Sequence, residues 1–175
     1  MLKNAYLYEE EIKRKSYEIW YDPKYQYYYS GPYHGEFSLN HDNDGDWSSR
    51  TFASVNSKGE VIGYMGYHID HEINGANSFG ALNFSNDKIT FGLDLAQCID
   101  DIFCKFCMNR LEFNVIVGNP IERSYDRMIQ RYGGHILCVR KQTAKDIAGN
   151  LLDDKVYEMV REDYLKAKEK INHGK

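Results

Sequence analysis

Along residues 91–136 the spacing of apolar positions changes twice, from helical to extended and back. Leu95, Cys98, Ile99, Ile102, Phe103 and Phe106 recur at three- and four-residue intervals, one face of a helix. Asp94 precedes them with Gln97 three residues on, a reciprocal capping pattern that predicts the helix start. Residues 111–117 (LEFNVIV) are too few for a helix and rich in β-branched side chains, so they predict a buried strand, ended by Gly118. Asn119 then caps a second helix, with Pro120 at its first position and Glu122 completing a second capping pair. Ile121, Tyr125, Met128, Ile129 and Tyr132 form its buried stripe, and Gly133-Gly134 stops it by taking φ > 0. Another strand covers residues 135–140.

Upstream, residues 3–8 predict an edge strand. Residues 9–20 predict a charged helix with Ile12, Ser16, Ile19 and Trp20 on one side, broken by Asp22-Pro23. Residues 51–56 (TFASVN) and 61–70 (VIGYMGYHID) flank a turn with Lys58-Gly59 at its tip and predict a β-hairpin. Residues 78–85 (SFGALNFS) predict a third strand. Downstream, residues 135–142 and 155–161 predict strands joined by the 143–154 connection, with Gly149-Asn150 as a turn and Ala148, Leu151 and Leu152 as anchors. From Glu162 the charges predict a short, exposed terminal helix whose basic end suits its dipole. The sum is an α/β fold with a sheet of mixed direction.

Composition narrows the function classes. A length of 175 residues fits one domain, spanning 1–175, and 27% charged with 42% apolar residues describes a globular chain. A net charge of −4 with the two signs mixed argues against a nucleic-acid partner. No apolar run reaches the roughly 18–20 residues of a membrane span, and residues 1–8 lack a signal-peptide core. The expectation is a soluble, cytoplasmic protein with no membrane partner.

Three further patterns carry candidate chemistry. Cys104 and Cys107 have the spacing of a zinc or redox pair, but no second pair exists and they end a helix, where its dipole disfavours a thiolate. Together with Cys98 and Cys138 they read as reduced thiols, some of them in the core, and no metal is expected. Residues 40–46 (NHDNDGD) place Asp42, Asp44 and Asp46 as an EF-hand would, but Trp47 and Ala53 occupy the Gly and Glu positions, leaving a solvated turn. Seven of the fifteen tyrosines lie in residues 17–33 and read as a packed lid or as the wall of a binding pocket; without a basic groove, a base-stacking platform fits poorly. His68 and His71, three apart on a strand, face opposite sides and read as surface residues.

The run RLEFNVIVGNPIERSYDRMIQRYGG (110–134), with the helix before it and the strand after it, resembles the GCN5-related N-acetyltransferase (GNAT) family. The similarity extends more weakly over about residues 6–164. In that family a strand bearing an Asn leads to a helix bearing a Tyr, both beside the thiol end of acetyl-CoA. Asn119 and Tyr125 match them, at a spacing of six residues where seven is commoner. The resemblance implies a mostly antiparallel sheet flanked by helices, with one splayed parallel pair formed by the 78–85 and 111–117 strands. It also implies acetyl-CoA as co-substrate, direct attack by an amine in a ternary complex, and an acceptor that is either a small-molecule or a protein amine. It is compatible with a homodimer.

By the same resemblance Leu82, Asn83 and Phe84 supply backbone contacts to the cofactor, and Tyr125 acts as general acid to the leaving thiolate. On the residues alone, Asn119 is fully explained as a cap and Tyr125 as a core tyrosine. Phosphate-binding amides are expected around Ile89–Asp94, where only Gly92 matches the family pattern. Asp94, as a cap there, would compete with phosphate; Lys88 or Lys141 would compensate. Glu112 lies on the right strand for a general base, but alternation with Leu111 and Phe113 points it toward a covered face. The rival expectation is a non-catalytic binding module on the same fold, with weakened or lost CoA binding.

Overall fold

The computed structural model describes residues 1–20, 22, 39, 47–146 and 148–173. In chain order these form β1 (Leu2–Asn4), a 3₁₀ turn (Ala5–Tyr8), α1 (Glu9–Trp20), β2 (Ser49–Val55), β3 (Val61–Asp70) and β4 (Gly75–Asn83). Then follow α2 (Lys88–Asp100), a π-helical turn (Asp101–Lys105), β5 (Arg110–Ile116), α3 (Glu122–Tyr132), β6 (His135–Lys145), β7 (Leu151–Val160) and α4 (Arg161–His173). The strands form one sheet in the order β1-β2-β3-β4-β5-β7-β6. Every neighbouring pair is antiparallel except β4–β5, which is the mixed sheet with one parallel pair that the sequence implies.

Alternation along the strands sorts side chains between two layers. Ala53, Val55 and Val61 pack with Ile12 of α1 on one face. Ser54 between them faces the other way, donating to the Asp94 carboxylate of α2. That second face carries the main core, where Met65, Phe79, Leu111, Phe113 and Tyr157 pack against Leu95 and Ile99 of α2, Tyr125 and Ile129 of α3 and Tyr164 of α4. Among the described residues no helix is long and apolar enough to cross a membrane.

Several boundaries move from their expected places, each for a local reason. The edge strand stops at Asn4, whose side chain captures the Tyr6 N–H (3.0 Å) and turns the chain into the 3₁₀ segment. The α2 helix starts at Lys88, not at Asp94: Asp87 is its cap, accepting the Thr90 N–H (3.0 Å). The early turns hide their period because Ile89 and Leu93 point outward, 79% and 68% exposed. The β6–β7 connection is far tighter than 143–154. Asp146 accepts the N–H groups of Ala148 and Asn150 (2.9 and 2.8 Å), Gly149 takes φ 88, and Leu151 and Leu152 join β7 instead of anchoring a loop. The last helix is docked, not merely exposed. Tyr164 is buried, stacks on Phe103 at 4.6 Å and donates to Asp100 (2.9 Å).

Candidate active site

The parallel pair is joined only along part of its length. Gly75, Ala76 and Phe79 of β4 pair with Arg110, Leu111 and Phe113 of β5, and beyond them no pairing continues to Asn83 or Ile116. One extra residue enters β4 against both neighbours, at Ser78, which takes φ 53. Aromatic rings fill the point of divergence. Phe79 meets Phe113 edge-on at 5.9 Å, and Tyr125 meets Phe113 edge-on at 5.1 Å. A cleft of about 1080 Å³ opens there, walled by α2 and α3 and floored by the separated strands.

The register shows which backbone groups face the gap. Phe84 N–H donates to Ile62 O (2.9 Å), so alternation turns Leu82 and Gly80 toward β3 as well. Ala81 and Asn83 therefore turn their N–H and C=O groups toward β5. Of the three expected contacts, Asn83 faces the cleft, whereas the backbone groups of Leu82 and Phe84 belong to β3. On the other side, Val117 N–H donates to Asp153 O (3.0 Å), which leaves Asn114 and Ile116 turned toward β4. The result is a pair of facing strand edges.

Asn119 orders the turn that leads into α3 but does not cap the helix as the sequence predicts: the flanking residue is Ile121, which makes no side-chain cap bond, and Pro120 stands before the first helical turn. The Asn119 Oδ1 accepts the Ile121 N–H (3.1 Å), and Glu122 reaches back to the Gly118 N–H (2.8 Å), one residue earlier than a standard capping box. Regular helix begins only at Glu122, after a turn closed by Glu122 N–H to Asn119 O (2.9 Å). Tyr125 follows on the inner side of α3, 6% exposed and lining the cleft. The outer side of α3 is pinned to β7: Lys155 pairs with Glu122 and Asp126, and the Tyr157 hydroxyl donates to Asp126 (2.8 Å). The Lys155 hydrogen bond holds the Glu122 carboxyl below its ordinary range, and Glu122 in turn raises Lys155. Burial, then the Asp126 hydrogen bond, pushes the Tyr157 hydroxyl up.

The start of α2 departs furthest from expectation. Lys88 N–H donates to Asn86 O, Thr90 N–H to the Asp87 carboxylate and Phe91 N–H to Asp87 O. The backbone and side-chain bonds from Thr90, with a further one from Ile89 N–H, hold the Asp87 carboxyl below its ordinary range. The amides that would meet a phosphate are thus already taken. Gly92 lines the cleft one turn further along, inside the helix, where its amide joins the helical ladder. Asp94 is buried beneath α2, accepting from Ser54 Oγ (2.6 Å) and the Met1 amino group (2.7 Å), and opposes nothing in the cleft.

Other candidates fall outside the cleft or enter it unexpectedly. Glu112 stands on the open face of the sheet, paired with Arg110 (2.5 Å), not on a covered face. Lys141 is held by Asp153 (2.7 Å) at the far hairpin. Lys88 lines the cleft. Cys98 is buried, its thiol pushed up by burial, whereas Cys104, Cys107 and Cys138 are exposed and free. Most of the tyrosine-rich stretch, and all of residues 40–46, lie outside the described residues. The β2–β3 hairpin supplies what the sequence did not announce: Thr51, Tyr64, Gly66 and His68 line the mouth of the cleft. Burial there pushes the Tyr64 hydroxyl up to about 12, and Thr51 Oγ1 is buried without a hydrogen-bond partner. Only the strand alternation of residues 61–70 hinted that one of the hairpin's faces could serve a site.

No protein-family model matches the sequence, and no curated protein matches it. Solved structures do. The chain is similar to spermidine/spermine N-acetyltransferase SpeG from Vibrio cholerae, at 18% identity over 69% of this chain and 70% of that one, with TM-score 0.59. Mutant forms of the same enzyme align at 16% identity over 70% of each chain, with TM-score 0.60. At these identities the likeness establishes the fold, which is the acetyltransferase fold that residues 110–134 resemble.

Proposed function

We propose, for this chain of GNAT fold, that it transfers an acetyl group from acetyl-CoA to a primary amine by direct attack in a ternary complex. The observation that supports this best is the separated β4–β5 pair, because two bare strand edges can take a molecule built of amides as they would take another strand. Acetyl-CoA supplies an activated thioester carbonyl and an amide-bearing arm. Asn83 and Ala81 offer their N–H groups to that arm, and one N–H polarises the carbonyl. Tyr125 donates its hydroxyl proton toward the departing sulfur as the C–S bond breaks and the amine nitrogen bonds to the carbonyl carbon. Water carries away the proton lost by the amine. Asn119 orders the turn that presents α3, and the main-chain edge orients the thioester.

Spermidine belongs in the acceptor panel because the similar Vibrio cholerae enzyme is named for it; aryl amines and peptide N-termini belong there too. Acetyl-CoA at about 100 times its dissociation constant stabilises the fold by roughly 2.7 kcal/mol, read as a raised melting temperature. An unshifted melting temperature and no heat in calorimetry at millimolar acetyl-CoA would leave the second reading, a non-catalytic binding module. One observation favours that reading: Asp87 already caps the amides of α2.

A further inference from the structure

A glycine inside a strand weakens it and often marks a place where something approaches the backbone closely. Two such glycines are paired, Gly66 of β3 against Gly80 of β4, and both line the cleft. At Gly66 the neighbour is in view: a Cβ there would stand 2.9 Å from the Arg50 main-chain oxygen and 3.2 Å from the Thr51 methyl group. Among the described residues Gly80 has no such neighbour, since an added Cβ would meet nothing within 4 Å. The space above it is open. Met65, Tyr67 and Phe79 belong to the core beneath α2 and α3, so alternation turns Tyr64, Gly66, His68 and Gly80 to the opposite face of the sheet. There Tyr64 and His68 border the bare strip, and the Tyr64 hydroxyl stands 3.5 Å from where a Gly66 Cβ would be. Gly80 directly precedes Ala81, whose main chain faces the parted β5 edge. The strip thus lies beside the proposed seat of the thioester, on the face away from Tyr125.

Charge narrows what fits the strip. Among the described residues that line the cleft there is no Asp or Glu, and Lys88, at the start of α2, is the one Lys or Arg. A polyamine keeps further cations after its reacting nitrogen has lost a proton, and enclosing them without a carboxylate is costly. We infer that the acceptor is an arylalkyl amine: its flat, uncharged ring lies on the bare backbone at Gly66 and Gly80, between Tyr64 and His68, and its amine enters the gap between β4 and β5. This rests on the acetyl-CoA reading above. Burial of the ring, with edge contacts to the flanking rings, supplies the binding. Neighbouring strands stand about 4.8 Å apart and these two have parted further, so an arm of one or two carbons carries the amine from the strip into the gap. The N–C bond forms from this face, the C–S bond breaks toward Tyr125 on the other, and the amine proton leaves to water.

The test is steady-state kinetics with 2-phenylethylamine, ethylamine and spermidine, on wild-type protein and on Gly80→Val. Valine favours strands and its Cβ has room, so the variant should fold and bind acetyl-CoA within twofold of wild type in calorimetry. Wild-type kcat/KM should be at least thirtyfold higher for 2-phenylethylamine than for spermidine. The variant should lose tenfold or more in kcat/KM for 2-phenylethylamine, mostly through KM, and stay within threefold for ethylamine. Comparing each amine with itself removes differences in basicity. Spermidine used as well as 2-phenylethylamine, or a variant that loses nothing or loses both small amines equally, overturns the proposal and leaves the acetyl-CoA reading standing. Acetyl-CoA that binds but is consumed with none of the three amines overturns it too. Protein that does not bind acetyl-CoA ends both. Should the variant melt early, 2-phenylethanol, with an aryl ring and no amine, decides on wild-type protein. Inhibition competitive with ethylamine sustains the proposal, and no inhibition overturns it.

Discussion

The helices α2 and α3 face each other across one cleft and begin in opposite ways. At α3 the capping is shared out. Asn119 takes the Ile121 N–H, Glu122 takes the Gly118 N–H, and Lys155 neutralises Glu122 from β7. At α2 the Asp87 carboxylate takes first-turn amides. The outward faces differ as well: α2 shows Ile89 and Leu93 to solvent, while α3 shows three arginines. The same architectural position, a helix start beside a separated strand pair, thus carries the Asp87 carboxylate on one side and a Glu122 carboxylate neutralised by Lys155 on the other. Fold likeness alone would have assigned both sides the usual roles, and the individual residues say otherwise.

The sharpest way to break the comparison is through Tyr125, which gives the α3 wall its proposed chemistry. Tyr125→Phe keeps the ring that meets Phe113 and Tyr157 edge-on, and so keeps most of the packing. If the hydroxyl serves the departing sulfur, turnover falls roughly ten- to a thousandfold, about 1.4 to 4 kcal/mol, with CoA affinity and melting temperature little changed. Steady-state kinetics with the best acceptor decide it. Turnover within a factor of two of wild type makes Tyr125 a core residue and nothing more.

A smaller effect is expected from the clasp that sets the angle of α3. The Lys155 and Glu122 side chains are 15% and 17% exposed, so Lys155→Met should cost about 1–2 kcal/mol, between the values for surface and buried pairs. For a chain of this size that is a fall of roughly 2–8 °C in melting temperature. The pH dependence has a definite sign. Glu122 is depressed in the folded state, so its contribution is present above its ordinary value near 4.5 and is lost as pH falls through the lower folded value. Lys155 is raised, so its contribution is present below about 10.5 and is lost as pH rises through the higher folded value. Melting temperatures measured across the acid limb should therefore fall more steeply for wild type than for the variant. Parallel acid limbs would show that the pair does not clasp α3.

How much of this was legible in the sequence differs between the same two walls. The α3 side could be read because its punctuation is local: Gly118, Asn119-Pro120 and Gly133 mark boundaries by their own backbone preferences, and Tyr125 lies on a clean apolar stripe. The α2 side misled for a reason equally local. Asp94 and Gln97 have capping spacing, but Asp94 is a buried acceptor for Ser54, a partner forty residues away that no local pattern can show. Outward-facing Ile89 and Leu93 blurred the period further, and Gly92 suggested a loop inside a helix. The parallel pairing of β4 with β5 was reached through family resemblance, since periodicity gives strands but not their neighbours. The bulge at Ser78, which helps the strands part, left no trace in the pattern at all.

The smallest expected effect probes the α2 wall directly. Asp87→Ser removes the carboxylate while keeping a side-chain oxygen able to cap, because Ser and Asp are N-caps of similar strength. The Thr90 amide should stay bonded and the helix start should hold, which far-ultraviolet circular dichroism and an unchanged melting curve would show. What changes is the charge at the mouth of the cleft, beside Lys88. Near a helix start a single exposed charge alters the binding of an anion by roughly two- to fivefold, and salt reduces the effect. CoA should therefore bind two- to fivefold more tightly to the variant at low salt, with the gain fading at high salt, and pantetheine should be unaffected. If affinity for CoA stays the same or falls, the phosphates do not approach α2. If pantetheine tightens as well, the substitution has reshaped the strand edge at Asn83 instead of removing a repulsion, and the contrast between the two walls loses its electrostatic basis.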